Sequence, residues 1–393
     1  MILTERHIIL DNRFEEICHK SGLLYNFVTY HYRQAIFGNQ EYFSEFECSK
    51  LCAEFNQEDF RSLPSNVSQQ VIKQVFQNFK SWRKAKKEYE KNPGKFKGRP
   101  KLPKFKVGDK QNLITFTTTT SRLKRGHIHF VNNIIKPIKT NVTKFKQVRI
   151  IPQATCYVVE VVYEKEEINH ELNKENFLSL DLGLNNYVST INNVGRKPFI
   201  INGKIIKSFN QWFNKNNAKL KSYVGVKGIS KRLTRLNNYR NFWIEDKNHK
   251  ISRYIINHCI ENDIGSIFIG KNDGWKNGIN LGHKTNQNFV QIPHAKLIQK
   301  IQYKAKLVGI DVILTEESYT SKIDNLACEP LQKQESYLGK RKKRGLFQSS
   351  SGRLINADIN GAIGIARKVI GDSAVSQIVN SGLECNPYKI NIL

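Results

Sequence analysis

A chain of 393 residues with 63 Lys and Arg against 34 Asp and Glu carries a formal charge of +29, far more than solubility requires and enough to draw a polyanion. That length calls for two or three domains, and with 39% hydrophobic residues each can bury a core. No apolar run approaches the roughly 20 residues of a spanning helix, and MILTERHIIL lacks the pattern of a signal peptide, so no membrane partner and a cytoplasmic location are expected.

Residues 11–90 alternate helical patches with polar connections. In LPSNVSQQVIKQVFQNFKSWRKAKKEYEK, Val67, Val71, Val75, Phe79 and Trp82 recur every three or four residues, one apolar stripe that predicts a helix capped by Ser65 or Asn66. Cys48 and Cys52, four apart in an expected helix, read as half-buried thiols rather than as a metal site. The seven cysteines follow no repeating interval, as reduced thiols would.

Residues 73–106 then hold 13 Lys or Arg and two acids, with Tyr89, Phe96 and Phe105 interleaved and Pro93, Gly94, Gly98, Pro100 and Pro103 breaking the helix. A solvated linker and a nucleic-acid contact explain this equally well in isolation; the charge of the whole chain favours the contact. The expected contact residues are Lys84, Lys86, Lys87, Lys95, Phe96, Lys97, Arg99, Lys101 and Lys104. Between 112 and 165 the period changes to two, and LITFTTTT, GHIHFVNN, QVRIIPQ and TCYVVEVVYEKE predict strands of an antiparallel barrel. Residues 209–247 form a second basic helical stretch containing Trp212, Phe213, Tyr239 and Trp243.

The C-terminal half begins with FLSLDLGLNNYVST. Leu178, Leu180 and Leu182 alternate around Ser179, Asp181 and Gly183, which puts one acid in a mostly apolar strand. A carboxylate there costs several kcal/mol unless it is paired or bound to a cation, so a structural hydrogen-bond acceptor and a metal ligand are equally good readings of Asp181. Gly183 leaves room for a neighbouring backbone or a ligand. In RLINADINGAIGIARKVI, Asp358 opens a helix whose apolar face is Ile359, Ala362, Ile363 and Ala366, with Gly361 thinning one side. A plain helix cap is the stronger reading of Asp358 taken alone; only its combination with Asp181 raises a metal site. In-line cleavage of a phosphodiester uses two cations about 3.5–4 Å apart, and Asp and Glu are the hard oxygen ligands that Mg²⁺ prefers.

SLDLGLNN, INADINGAIGIARK, the YTSK at 319–322, and the upstream LPSNVSQQ and KNPGKFKGRPKLPKFK together resemble the TnpB (OrfB) proteins of insertion sequences, which are similar to the nuclease part of type V CRISPR effectors. The resemblance runs over nearly the whole chain. It implies a multidomain α+β protein: a β-barrel wedge domain at 1–10 and 91–170 with a helical recognition insertion at 11–90, and an RNase H-like (RuvC) nuclease domain at 171–318 and 353–393 interrupted by an insert at 319–352. It further implies two Mg²⁺ ions, a guide RNA from the element's end, a double-stranded DNA target and a short target-adjacent motif. A monomer is expected.

Two departures stand out. The family's third carboxylate usually ends the strand that here reads GSIFIG, where Gly270 takes its place, and Asp273 in KNDGWK reads as a turn residue. The neighbouring strand DVILTEES ends in Glu316 and Glu317, whose side chains face opposite ways; Glu317, with Glu316 as the alternative, is the expected replacement. Asp181, Glu317 and Asp358 are thus the expected catalytic and metal-binding set. The family's two CxxC pairs are also missing, with Cys328 alone in the insert, so no structural zinc is expected. Lys340, Arg341, Lys342, Lys343 and Arg344 make the insert a basic loop for nucleic acid. His283 and His294 read as loop and helix-cap residues. An RNA-guided Mg²⁺-dependent DNA endonuclease is the expectation; an RNA-guided repressor with a decayed site is the alternative that Gly270 supports. A strand-joining transposase is disfavoured, since nothing resembles the HUH-and-tyrosine machinery.

Overall fold

A computed structural model of the chain describes residues 1–38, 43–225, 227–271, 292–381 and 386–392, and these separate into two units, Met1–Lys165 and Glu166–Leu393. Asp273, His283 and Cys385 lie outside the described residues. No described helix is long and apolar enough to cross a membrane.

In the first unit, β1 (Ile2–Ile9) precedes α1 (Glu15–Phe37), α2 (Glu45–Glu54), α3 (Glu58–Arg61) and α4 (Ser65–Lys91). Then follow β2 (Ile114–Thr117), β3 (Ser121–Lys124), β4 (His127–Phe130), β5 (Ile138–Lys139), β6 (Gln147–Gln153) and β7 (Cys156–Glu164). These strands form a four-stranded antiparallel sheet, β1-β7-β6-β2, and a three-stranded one, β3-β4-β5. The α4 stripe lies as its spacing requires, with Val67, Val71, Val75 and Phe79 in the core. The predicted cap does not form: Pro64 occupies that position without a side-chain bond, and Asn66 instead accepts from the Thr117 hydroxyl at 2.9 Å. Cys48 and Cys52 are buried core residues rather than half-buried ones.

The second unit is built on a six-stranded sheet. It contains β8 (Phe177–Asp181), β9 (Asn186–Asn192), β10 (Phe199–Asn202), α5 (Lys204–Val224), α6 (Lys231–Glu261), β11 (Ser266–Gly270), α7 (His294–Lys306) and β12 (Asp311–Thr315). The short strands β13 (Lys340–Lys343), β14 (Leu346–Gln348) and β15 (Leu354–Asn356) make a separate antiparallel sheet before α8 (Ala357–Ile370), α9 (Ser373–Asn380) and β16 (Tyr388–Ile390). The main sheet runs β12-β11-β8-β9-β10-β16, with β8, β9 and β10 antiparallel in turn and β11 and β12 parallel to β8.

The period-two pattern of β8 decides what each face meets. Leu178 and Leu180 point into a core shared with α6 and α7, while Phe177 joins the core under α8. Ser179, on the α8 face, donates to the Ala362 carbonyl at 2.7 Å. Asp181 follows at the next position on that face.

Candidate active site

Asp181 ends β8 beside the N-terminal turn of α8, and the fit depends on a missing side chain. A Cβ built on Gly361 would lie 2.7 Å from Asp181 Oδ2 and 3.3 Å from its Cγ, so the carboxyl occupies the groove that glycine leaves. Gly183 permits a second close approach: its Cβ would meet the Asn186 carbonyl at 2.6 Å, which closes the turn from β8 into β9.

That turn delivers Asn186, whose Nδ2 donates to Asp358 Oδ2 at 2.5 Å. Asp358 is not the helix cap. Asn356 is, its side chain accepting from the Asp358 backbone N–H at 2.9 Å, which leaves the Asp358 carboxyl for other work. Sequence reasoning missed Asn186 and Asn356; both sit inside motifs already singled out, SLDLGLNN and INADINGA.

Glu316 and Glu317 part as neighbours on an extended backbone must. Glu316 turns outward, accepting from Lys368 Nζ at 2.7 Å and from the Ser318 backbone N–H at 2.9 Å, and the Lys368 bond holds its carboxyl below the usual range. Glu317 turns toward Gly270: a Cβ there would lie 2.9 Å from Glu317 Oε2, 3.1 Å from its Cβ and 2.6 Å from Ile365 Cδ1. The space an acid at position 270 would use is filled by the side chain of Glu317. Burial raises the Glu317 carboxyl, with the Glu316 charge adding to it and Lys368 opposing.

The three acids are felt most at Asp181. Although the residue keeps some accessible surface, desolvation and then the charges of Asp358 and Glu317 push its carboxyl up to about 8, against the opposing influence of Arg341 and a backbone N–H bond. The contrast with another acid buried in a strand is instructive. Glu160 of β7, 3% exposed, is paired with Arg6 at 2.8 Å and Arg149 at 2.6 Å, a satisfied structural pair. Asp181 faces its own kind. Mutual repulsion among carboxylates is the chemistry a divalent cation relieves, and carboxylate oxygens are the donor type that Mg²⁺ takes. The carboxylates are not drawn into a closed coordination group: among the described residues no three His, Cys, Asp or Glu side chains are gathered closely enough to hold one ion.

Comparison with known proteins follows the same segments. The OrfB_IS605 profile, described as a probable transposase, matches residues 160–276, and the profile of the Cas12f1-like TNB domain matches 294–365. These two segments are thus similar to the OrfB transposase family and to the TNB domain of Cas12f1-like proteins. Its fold is similar to that in the cryo-EM structure of the Cas12f1–sgRNA–target DNA complex, with TM-score 0.54 and 14% identity over 90% of this chain and 82% of that one. An alignment with the mini-RNA-guided endonuclease Cas_phi3 has TM-score 0.45 and 11% identity over 98% of this chain and 93% of that one. No curated protein matches.

The insert at 319–352, within the segment similar to a TNB domain, is knitted by buried polar groups. Asp324, fully buried, accepts from Ser349 Oγ at 2.8 Å, Ser350 N at 2.6 Å and Ser350 Oγ at 2.8 Å. Glu329 accepts from the backbone N–H groups of Asp324 at 2.6 Å and Leu338 at 2.9 Å. Asn325 and Asn360 fasten the insert to α8 through the Thr320, Asn360 and Ile323 carbonyls, and buried Arg367 reaches Asn325 Oδ1 and the Glu329 carbonyl. Of its basic run, Lys340, Arg341, Lys342, Lys343 and Arg344 are all exposed. Arg344 lies 2.6 Å from Asn185 when that amide is turned to face it.

The basic segment after α4 is pinned rather than free. Trp82 donates to the Pro100 carbonyl at 3.3 Å, Asn26 to that of Lys106 at 2.9 Å, and the Arg33 guanidinium covers the Phe105 ring. Phe96 packs edge-on against Tyr89 and Lys95 pairs with Glu88, while Lys84, Lys87, Lys97, Arg99, Lys101 and Lys104 are exposed and Lys86 half-buried. His294 is no cap: it is buried, and its Nε2 lies 3.1 Å from the Gly183 carbonyl, tying α7 to the turn after Asp181.

Proposed function

We propose that this protein is an RNA-guided DNA endonuclease of an insertion sequence, cutting phosphodiesters with Mg²⁺ held by Asp181, Glu317 and Asp358. The observation that carries the reading is the convergence on one sheet edge of Asp181, Asp358 and a glutamate filling the place of the absent side chain at position 270. The order of the main sheet, β12-β11-β8-β9-β10, supports an RNase H-like nuclease domain, and the antiparallel sheets of the first unit support a β-barrel wedge with helices α1 to α4 inserted.

When bound, the two ions would lower the pKa of an attacking water and offset charge on the leaving oxygen. The chain's own residues set the stage. Asn186 orients the Asp358 carboxylate, Gly361 leaves the groove for Asp181, and Ser179 locks β8 to α8. Arg341, whose charge reaches Asp181, meets a phosphate of the strand to be cut. Guide pairing reads the sequence while the protein reads charge, shape and a short adjacent motif. The exposed lysines and arginines after α4 and in the insert bind the backbones of guide and target. The protein works as a cytoplasmic monomer without structural zinc.

The test starts from the RNA that co-purifies with the protein, sequenced to define the guide and target. Asp181→Ala lowers Mg²⁺-dependent cleavage by about 10³-fold or more and leaves RNA retention intact. Equal cutting by the variant removes the proposed site. Guided target binding without any cutting by the unmodified protein leaves the repressor reading in its place.

A further inference from the structure

Helices α5 and α6 lie in the longest acid-free stretch of the chain: residues 182–244 contain no Asp or Glu, and 204–240 hold ten Lys or Arg. At about 1.5 Å per residue α6 is roughly 45 Å long. Its C-terminal half is committed to the core, where Ile251, Ile255, Ile256 and Cys259 pack with β8 and α7. Its N-terminal half pairs with α5 around an aromatic cluster in which Phe209 stacks on Trp243 at 4.0 Å and on Trp212 at 5.4 Å.

The outer rings of this hairpin are more exposed than packing alone requires. Trp212 is 46% exposed and Tyr223 74%, and together with Asn216, Lys219 and Arg232 they border a half-open cavity of about 470 Å³. Phe209 stacks on one face of the Trp212 indole, and Tyr239 meets it edge-on. Arg232 stands in the first turn of α6, the end of a helix that favours phosphate. Exposed aromatic faces beside cations match the chemistry of an unpaired nucleotide, and the volume is that of a small-molecule site.

We propose that this cavity receives an unpaired base of the bound RNA, which stacks on Trp212 and Tyr223 while Lys219 and Arg232 meet its flanking phosphates. The proposal rests on the RNA-guided reading above. RNA is favoured over the strand being cut because α6 packs on the sheet face opposite α8, whereas Asp181 and its partner acids lie on the α8 side.

The experiment measures reassociation of the co-purified RNA with the full chain stripped of nucleic acid, alongside a single-stranded DNA of the same sequence. The double variant Trp212→Ala, Tyr223→Ala binds the RNA about tenfold more weakly or worse, and Trp212→Phe, Tyr223→Phe restores most of the affinity. Should the alanine pair lose helicity, Lys219→Ala with Arg232→Ala gives the same reading, with a salt slope smaller by about two. RNA affinity unchanged in folded variants overturns the proposal, as does a loss confined to DNA. If no RNA accompanies the unmodified protein and it does not prefer RNA to DNA, the RNA-guided reading fails first, a result distinct from failure of the cavity.

Discussion

Glu317 stands two residues beyond a strand end, yet its side chain fills the space over Gly270, so the acid and the vacancy it fills come from adjacent strands. Glu317→Gln therefore removes cleavage, by about 10²-fold or more, whereas Glu316→Gln, which breaks only an exposed pair with Lys368, leaves the rate near that of the parent. Gly270→Glu added to Glu317→Gly returns part of the activity, because the same space is then entered from the other strand; single-turnover cleavage of a guided target measures all three. Asp181 makes a pH prediction. Its carboxyl, raised to about 8, keeps a proton that the unfolded chain releases near about pH 4, so stability of the metal-free fold falls as pH rises between those values and falls no further above the upper one. Asp181→Asn removes that penalty: in EDTA the variant melts higher than the parent at about pH 8 and the gap closes toward about pH 4. Calorimetric melts across the window check this, and a gap independent of pH would count against the crowding of acids at Asp181.

At the scale of elements, the insert between β12 and α8 shows how a short segment with little apolar core can be held. Its buried carboxylates are satisfied by hydroxyl and backbone donors from segments distant in sequence, Ser349 and Ser350 for Asp324, Leu338 for Glu329. Each such charge-assisted bond is worth about 1.5–3 kcal/mol, and removing the carboxylate strands its donors in a buried site. Asp324→Ala thus loosens the insert by about 3 kcal/mol, seen as faster amide exchange over 319–352 with the main sheet still protected. A zinc chelator leaves that exchange unchanged; faster exchange on chelation would show that a metal holds the insert. The same asparagines and Arg367 that close the insert bind it to the helix carrying Asp358, so loosening it also slows cleavage.

For the whole molecule, the charge of +29 sets how binding answers to salt. Neutralising many phosphates releases many counterions, and RNA affinity falls by about 10³-fold or more between about 50 and 200 mM salt; a shallow dependence would mean that most of the exposed lysines and arginines touch no backbone. Much of the architecture was legible in the linear order of residues. Leucines alternating around Asp181, the apolar face of α8 and the stripe of α4 each follow from a local period, since burial selects one face of a strand or helix. Strands β3 and β5 escaped because SRLK offers a single apolar residue among polar ones and β5 is only two residues long, so neither shows an alternation. Glycine spacing hinted at close approaches at Gly183 and Gly361 without saying what approaches. What folding alone decided is how residues far apart in the chain meet: that Asn356 takes the cap and frees Asp358, that Asn186 reaches across to it, and that Glu317 rather than Glu316 turns toward Gly270. Periodicity reports the face on which a residue lies, but its neighbour across the sheet is chosen by strand order and register, and these exist only once the chain has closed on itself.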